Sequence, residues 1–167
     1  MNFRTLAAGL VLALAGCKSA PPPPPPPPKP VTAVITIVAA ADVNPNSSGR
    51  ASPVLVRLLQ LKDGANFSSA GFDDITSRGD QVLAADLVAR DQRMVQPGTT
   101  VSVSLQVPPE TRLLGVVAEY SDLANSQWRG ASPAPEGGLL TLFKDHSLLV
   151  TVNRRAVAVT VAPPKGK

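Results

Sequence analysis

A two-sheet, antiparallel, all-β sandwich of about eight strands with a small helical insert is the fold class this chain predicts. Three observations carry it. Short runs rich in Val, Ile, Leu and Thr recur between Val31 and Val161, separated by clusters of Pro, Gly, Asn, Asp and Ser. The run Thr99 to Val107 alternates strictly, with Val101, Val103, Leu105 and Val107 on one face and Thr100, Ser102, Ser104 and Gln106 on the other. That is how a strand reads when one face meets a core and the other meets water. Strands do not alternate with helices, which argues against a parallel α/β sheet.

The chain starts with a charged residue, Arg4, an apolar run from Leu6 to Leu14 too short to span a bilayer, and the small-residue cut Leu14-Ala15-Gly16-Cys17. This pattern fits a bacterial lipoprotein signal over residues 1–16. Cys17 is then the first mature residue, acylated on its sulfur and its amine. Several acyl chains, at ~0.8 kcal/mol per buried methylene, make such an anchor effectively permanent. Cys17 is also the only cysteine, so no intramolecular disulfide forms once it is lipidated. The lipid is the only non-protein group expected; no cofactor is.

Residues 17–30 form the tether. Pro21 to Pro28 is an unbroken proline run, which adopts an extended polyproline helix without internal hydrogen bonds. At about 3.1 Å per residue, Lys18 to Pro30 reaches on the order of 40 Å. Lys18 and Ser19 are not the aspartate that usually retains lipoproteins at the inner membrane, so an outer-membrane location facing the periplasm is expected.

The folded domain is expected over residues 31–162, with a frayed tail at 163–167. Val31 to Val38 reads as the first strand, with Val31, Ala33, Ile35 and Ile37 sharing a face. A long loop, Ala39 to Ser52, follows, and long loops are disproportionately functional. Pro53 to Lys62 is apolar on both parities and reads as a central strand, with Arg57 a paired or snorkelling residue. Asn66 to Val88 breaks the rhythm: Phe67, Phe72 and Ile75 recur at helical spacing behind candidate caps at Asn66 and Ser68, and Val82 to Val88 suggests another helical turn. Arg93 to Gln96, Pro97-Gly98 and Thr99 to Val107 read as a hairpin. Arg112 to Tyr120 is placed centrally, with Gly115 marking a bulge or a close backbone approach. Trp128-Arg129 gives a short strand, and Pro133, Pro135 and Gly137-Gly138 a turn cluster. Leu139 to Val152 and Ala156 to Val161 form a last hairpin around Asn153-Arg154-Arg155.

Catalytic chemistry finds little to stand on. His146 is the sole histidine and no G-x-S-x-G elbow is present. Metal sites need several ligands at defined spacing, and the adjacent Asp73-Asp74 pair reads instead as a solvated helix face or cap. No phosphate-binding Gly-rich loop opens a helix. After loss of residues 1–16, 15 basic residues face 12 acidic ones; they are scattered and aromatics are sparse, so nucleic-acid binding is not expected.

Gly49 to Asp63 (GRASPVLVRLLQLKD), with Asn44-Pro45 before it, resembles the TssJ family (also called SciN or VasD), the outer-membrane lipoprotein of type VI secretion systems. The resemblance continues through Phe67, Phe72, Ala85-Asp86-Leu87, Gln96-Pro97-Gly98, Leu114 to Tyr120 and Trp128-Arg129. It implies a transthyretin-like sandwich, no enzymatic activity, and docking to the periplasmic C-terminal domain of the inner-membrane protein TssM, in several copies within a trans-envelope complex. It also implies that the loop between the first two strands makes that contact, here through Asp42, Val43, Asn44, Pro45 and Arg50. The long proline run departs from the family pattern. A rival reading is a periplasmic carrier or sensor holding a small ligand in a pocket lined by Phe67, Phe72, Trp128 or Phe143.

Overall fold

A computed structural model describes residues 29–135 and 147–162. The signal peptide, Cys17, the proline run, Phe143, His146, the Gly137-Gly138 turn and the expected tail lie outside the described residues. The strands are β1 (Val31–Ala39), β2 (Val54–Leu61), β3 (Leu87–Val95), β4 (Thr100–Val107), β5 (Leu113–Glu119), β6 (Arg129–Pro133), β7 (Ser147–Val152) and β8 (Val157–Val161). Two helices, α1 (Ala65–Ser69) and α2 (Phe72–Val82), lie between β2 and β3. The first sheet has the order β4-β1-β7-β8 and the second β3-β2-β5-β6.

Alternation dictates which faces meet. Ala33, Ile35, Ile37 and Ala39 of β1, Val103, Leu105 and Val107 of β4, and Val54, Val56 and Leu58 of β2 are buried between the sheets. β2 is apolar on both parities because its outer face is covered as well. There Leu59 and Leu61 join Phe67, Ile75, Leu83 and Val117 in a second core beneath the helices. Gly115 of β5 marks a close approach: a Cβ there would sit 3.0 Å from Phe67 Cζ. Arg57 is paired, its Nε donating to Glu119 Oε1 at 2.5 Å on the neighbouring strand.

Four expectations are corrected. The helical insert ends at Val82, and Leu87 and Val88 belong to β3. Leu83 and Leu87 both pack into the second core, one from a turn and the other from a strand, so their spacing imitates a helix. The helix caps are not Asn66 and Ser68. Asp63 Oδ1 accepts from the Ala65 N–H at 2.7 Å, and Asp74 Oδ2 accepts from the Gly71 N–H at 3.3 Å. Pro97-Gly98 does not close a hairpin, because β3 and β4 lie in different sheets; the turn carries the chain across the sandwich. Finally, one pair is parallel: β7 runs alongside β1, with Ile35 opposite Leu148 and Ile37 opposite Val150.

These registers give the sandwich two distinct ends. β1 leaves the tether at Val31 and runs about 30 Å to Ala39, at roughly 3.3 Å per residue. At that far end lie the β1–β2 loop, the 96–99 turn, the loop after β5 and the β7–β8 turn. The 108–112 turn and both ends of the β2–β3 connection lie at the tether end, while the helices of that connection extend over the outer face of the second sheet.

Candidate interaction surface

The β1–β2 loop is built from a buried base and an exposed tip. Val43, Asn44 and Pro45 are buried, whereas Asp42 and the stretch Ser47 to Arg50 are exposed. Asn44 takes a left-handed backbone (φ 48°), which asparagine tolerates better than most residues. From there it ties three segments together. Its N–H donates to Arg154 O at 3.1 Å, its Nδ2 donates to Pro53 O at 2.7 Å, and its Oδ1 accepts from the Ser121 N–H at 2.7 Å. Asn46 shapes the tip: its Oδ1 accepts from the Ser48 and Arg50 N–H groups, both at 3.0 Å, while its own N–H donates to Arg50 O at 2.9 Å. Gly49 closes this turn at φ 77°.

The neighbouring loops lock onto the same frame. Asp42 pairs with Arg154 at 3.5 Å and Asp122 with Arg155 at 2.9 Å. Such exposed pairs contribute roughly 0–1 kcal/mol each, so the hydrogen-bonded backbone holds this end more than the charges do. Tyr120 directly follows β5, and its hydroxyl donates to Asn153 O at 3.1 Å.

Burial pushes the Tyr120 hydroxyl pKa up from its ordinary value of 10.0. Folding thus favours its protonated form, and stability falls as pH rises above the unfolded-state value, where the unfolded chain ionises and the folded one does not. Denaturant midpoints between pH 9 and pH 11 are expected to drop for the native chain and to drop less for Tyr120→Phe. Equal slopes would remove this linkage.

Of the five residues that the family resemblance points to, only Asp42 and Arg50 have exposed side chains. Val43, Asn44 and Pro45 lie under the surface, where they fix the tip instead of presenting themselves. Ser47, Ser48 and Gly49 are the exposed tip residues that sequence reasoning did not select. The signal for them was the Asn46-Ser47-Ser48-Gly49 turn chemistry.

Among the described residues, Phe67, Phe72 and Trp128 do not line the cleft found beside the helices. Phe67 is 2% exposed in the second core, and Phe72 packs edge-on against Trp128 with ring centroids 5.3 Å apart. That cleft, of about 460 Å³, lies between α2 and the β2–β3 face, over Leu59, Ile75, Leu83 and Leu87, with Arg57 and Arg90 among its polar walls. Arg57 and Arg90 are matched by Glu119 and Asp80. Arg93 and Asp91, also in its wall, pair with each other, so among the described residues no unbalanced charge marks it for an ionic ligand.

A β-sandwich with one end of hydrogen-bonded loops and the opposite end joined to its N-terminal segment is the class that fold and surface define. Residues 31–159 match the family model described as type VI secretion lipoprotein, VasD, EvfM, TssJ, and the chain belongs to that family. Among solved structures it is similar to the type VI secretion lipoprotein TssJ1 from Pseudomonas aeruginosa, with 29% identity, coverage of 82% of this chain and 98% of that one, and a TM-score of 0.71. Serratia marcescens Lip, described as a membrane-bound component of the type VI secretion system, shares the fold at 24% identity, 81% and 99% coverage and a TM-score of 0.72. A chain in a structure described as the type VI secretion protein TssM C-terminal domain from EAEC matches at 26% identity, 79% and 98% coverage and a TM-score of 0.61. The comparison with curated proteins yields no match.

Proposed function

We propose that the protein is an outer-membrane lipoprotein, anchored through Cys17 and facing the periplasm, whose far loop end docks the periplasmic C-terminal domain of a TssM-like inner-membrane protein. By holding that domain it stabilises the trans-envelope complex of a type VI secretion system, without catalysing a reaction. The observation that carries this reading is the polarity of the sandwich. The tether joins at one end, and the β1–β2 loop, fixed by Asn44 and Asn46, projects from the other. With the reach of about 40 Å expected of the proline spacer, a strand of about 30 Å would set the tip on the order of 70 Å from the lipid headgroups. Because the tip turn is already formed, binding loses little conformational entropy.

The relatives support the partner's identity: a chain in the structure described as the TssM C-terminal domain is similar to this one. On this reading Asp42, Ser47, Ser48 and Arg50 make contacts, while Val43, Asn44 and Pro45 hold them in place. The test is capture of the partner from solubilised membranes by the mature chain, native or with the tip replaced through Ser48→Trp together with Arg50→Glu. Capture of one TssM-like protein by the native chain and its loss on replacement is expected; equal capture by both would move the interface elsewhere. Fractionation of Cys17→Ser cells checks the anchor, and a variant still in the outer membrane would remove Cys17 from the account.

A further inference from the structure

The four sheet edges are not equally protected. A bare edge strand offers unpaired N–H and C=O groups to any passing strand, and proteins blunt such edges with charge, proline, bulges or cover. β3 carries Arg90, Asp91 and Arg93, and its register with β2 shifts at Gln60/Leu61. β6 carries Arg129 and ends on Pro133. β8 is covered: the Val157 N–H donates to Gln127 O at 2.9 Å, and Gly130 of β6 lies against Val159. β4, TVSVSLQV, has no charge, no proline and no bulge. The whole first sheet is uncharged, since no strand in it holds an ionisable side chain.

The register says which groups of β4 face outward. The Ala39 N–H donates to Thr99 O, so Ala39 and Thr99 form a hydrogen-bonded pair. Alternation then makes Val38–Thr100, Thr36–Ser102 and Val34–Ser104 non-hydrogen-bonded pairs. The N–H and C=O of Thr100, Ser102 and Ser104 therefore point away from β1. The next carbonyl in the series, Gln106 O, is taken internally by Gln60 Nε2 at 3.1 Å. Among the described residues the free window is thus Thr100 to Ser104. Beside it Val101 stays only partly buried against the core.

We infer that this window pairs antiparallel with the same window of a second copy, joining two first sheets about a two-fold axis through Ser102. In that register Thr100 faces Ser104 and Ser102 faces its own copy, so each outward N–H and C=O of the three residues meets a partner. A two-fold strand pair sets residues against themselves or near neighbours, and like charges opposite each other destabilise a sheet. An uncharged strand with short hydroxyl side chains suits the arrangement, and the charged β3 does not. Across the seam Val101 faces Val103 and gains cover. This stands independently of the loop-docking reading, because the seam runs along a side edge of the sandwich.

The test uses the full chain in the cell envelope. Ser102→Cys places two thiols on the axis, and a hydrogen-bonded antiparallel pair has Cα atoms about 5.5 Å apart, inside the range of roughly 4.4–6.8 Å that a disulfide spans. On mild oxidation, with products identified by mass spectrometry, Ser102→Cys is expected to give at least about tenfold more homodimer than Thr160→Cys on the covered β8 edge. Adding Ser104→Pro, which removes one seam donor at an edge position that tolerates proline, should abolish the crosslink. Equal crosslinking by Ser102→Cys and Thr160→Cys, persistence with Ser104→Pro, or a Ser102→Cys product joined to a different protein would each overturn the inference.

Discussion

Replacing Asn44 with alanine is expected to destabilise the domain by roughly 2–4 kcal/mol, adding about 0.5–1.5 kcal/mol for each of two part-buried hydrogen bonds lost to about 1 kcal/mol of left-handed backbone strain. The Ser121 N–H loses its acceptor and the Pro53 C=O its donor, in a site where Asn44 itself is 4% exposed. Two further variants separate these contributions. Asn44→Gly relieves the backbone strain but leaves both groups unpaired, so it should recover only the strain. Asn44→Asp keeps an acceptor for Ser121 and loses the donor to Pro53, and should fall between. Thermal and denaturant unfolding would rank the variants, and an alanine variant as stable as the native chain would show that Asn44 does not hold the loops together.

The second large effect is expected at Phe67, where substitution by alanine should cost about 3–5 kcal/mol. Phe67 is the plug between α1 and the sheet, 2% exposed, against the bare backbone of Gly115. The pair also predicts a coupling. Gly115→Ala alone sets a methyl 3.0 Å from the Phe67 ring, closer than packed carbons normally come, and should destabilise. In the Phe67→Ala background the same methyl is freed from the ring and keeps only its 3.2 Å approach to Leu61 Cδ1, so it should destabilise less. A double-mutant cycle on unfolding free energy measures this, and additivity would mean the ring and the glycine do not touch.

How far the fold was legible depended on how each strand is covered. β1, β2, β4 and β5 were readable because a buried face writes an alternating or continuous apolar pattern. β3 was recognised only at its end. As an edge strand with Arg90, Asp91 and Arg93, it buries too little to show the pattern, and the Leu83–Leu87 spacing pulled its start into the helical insert. Pairing partners were harder still. A Pro-Gly turn between two strands looks the same whether it closes a hairpin or crosses between sheets, and nothing local in Ser147 to Val152 announces a parallel neighbour. In the β1–β2 loop the sequence marked a long, polar, turn-rich segment but not which residues face water. Asn44 and Asn46 look alike in sequence, yet one is a buried tie and the other shapes an exposed tip, because only the first meets Ser121 and Pro53 from distant parts of the chain.

In the docking proposed above, the loop tip, not the sides of the sandwich, grips the inner-membrane partner. Its most direct test is calorimetric titration of the purified periplasmic C-terminal domain of the TssM-like partner into the soluble domain from Lys29 onward, native and with Ser48→Trp. Ser48 is exposed and uses only its N–H in the tip turn, so the substitution adds bulk at the tip without touching the frame. The account predicts unchanged thermal stability and affinity weakened by at least about tenfold, or roughly 1.4 kcal/mol. Equal affinity with equal stability would contradict it and place the interface away from the β1–β2 loop.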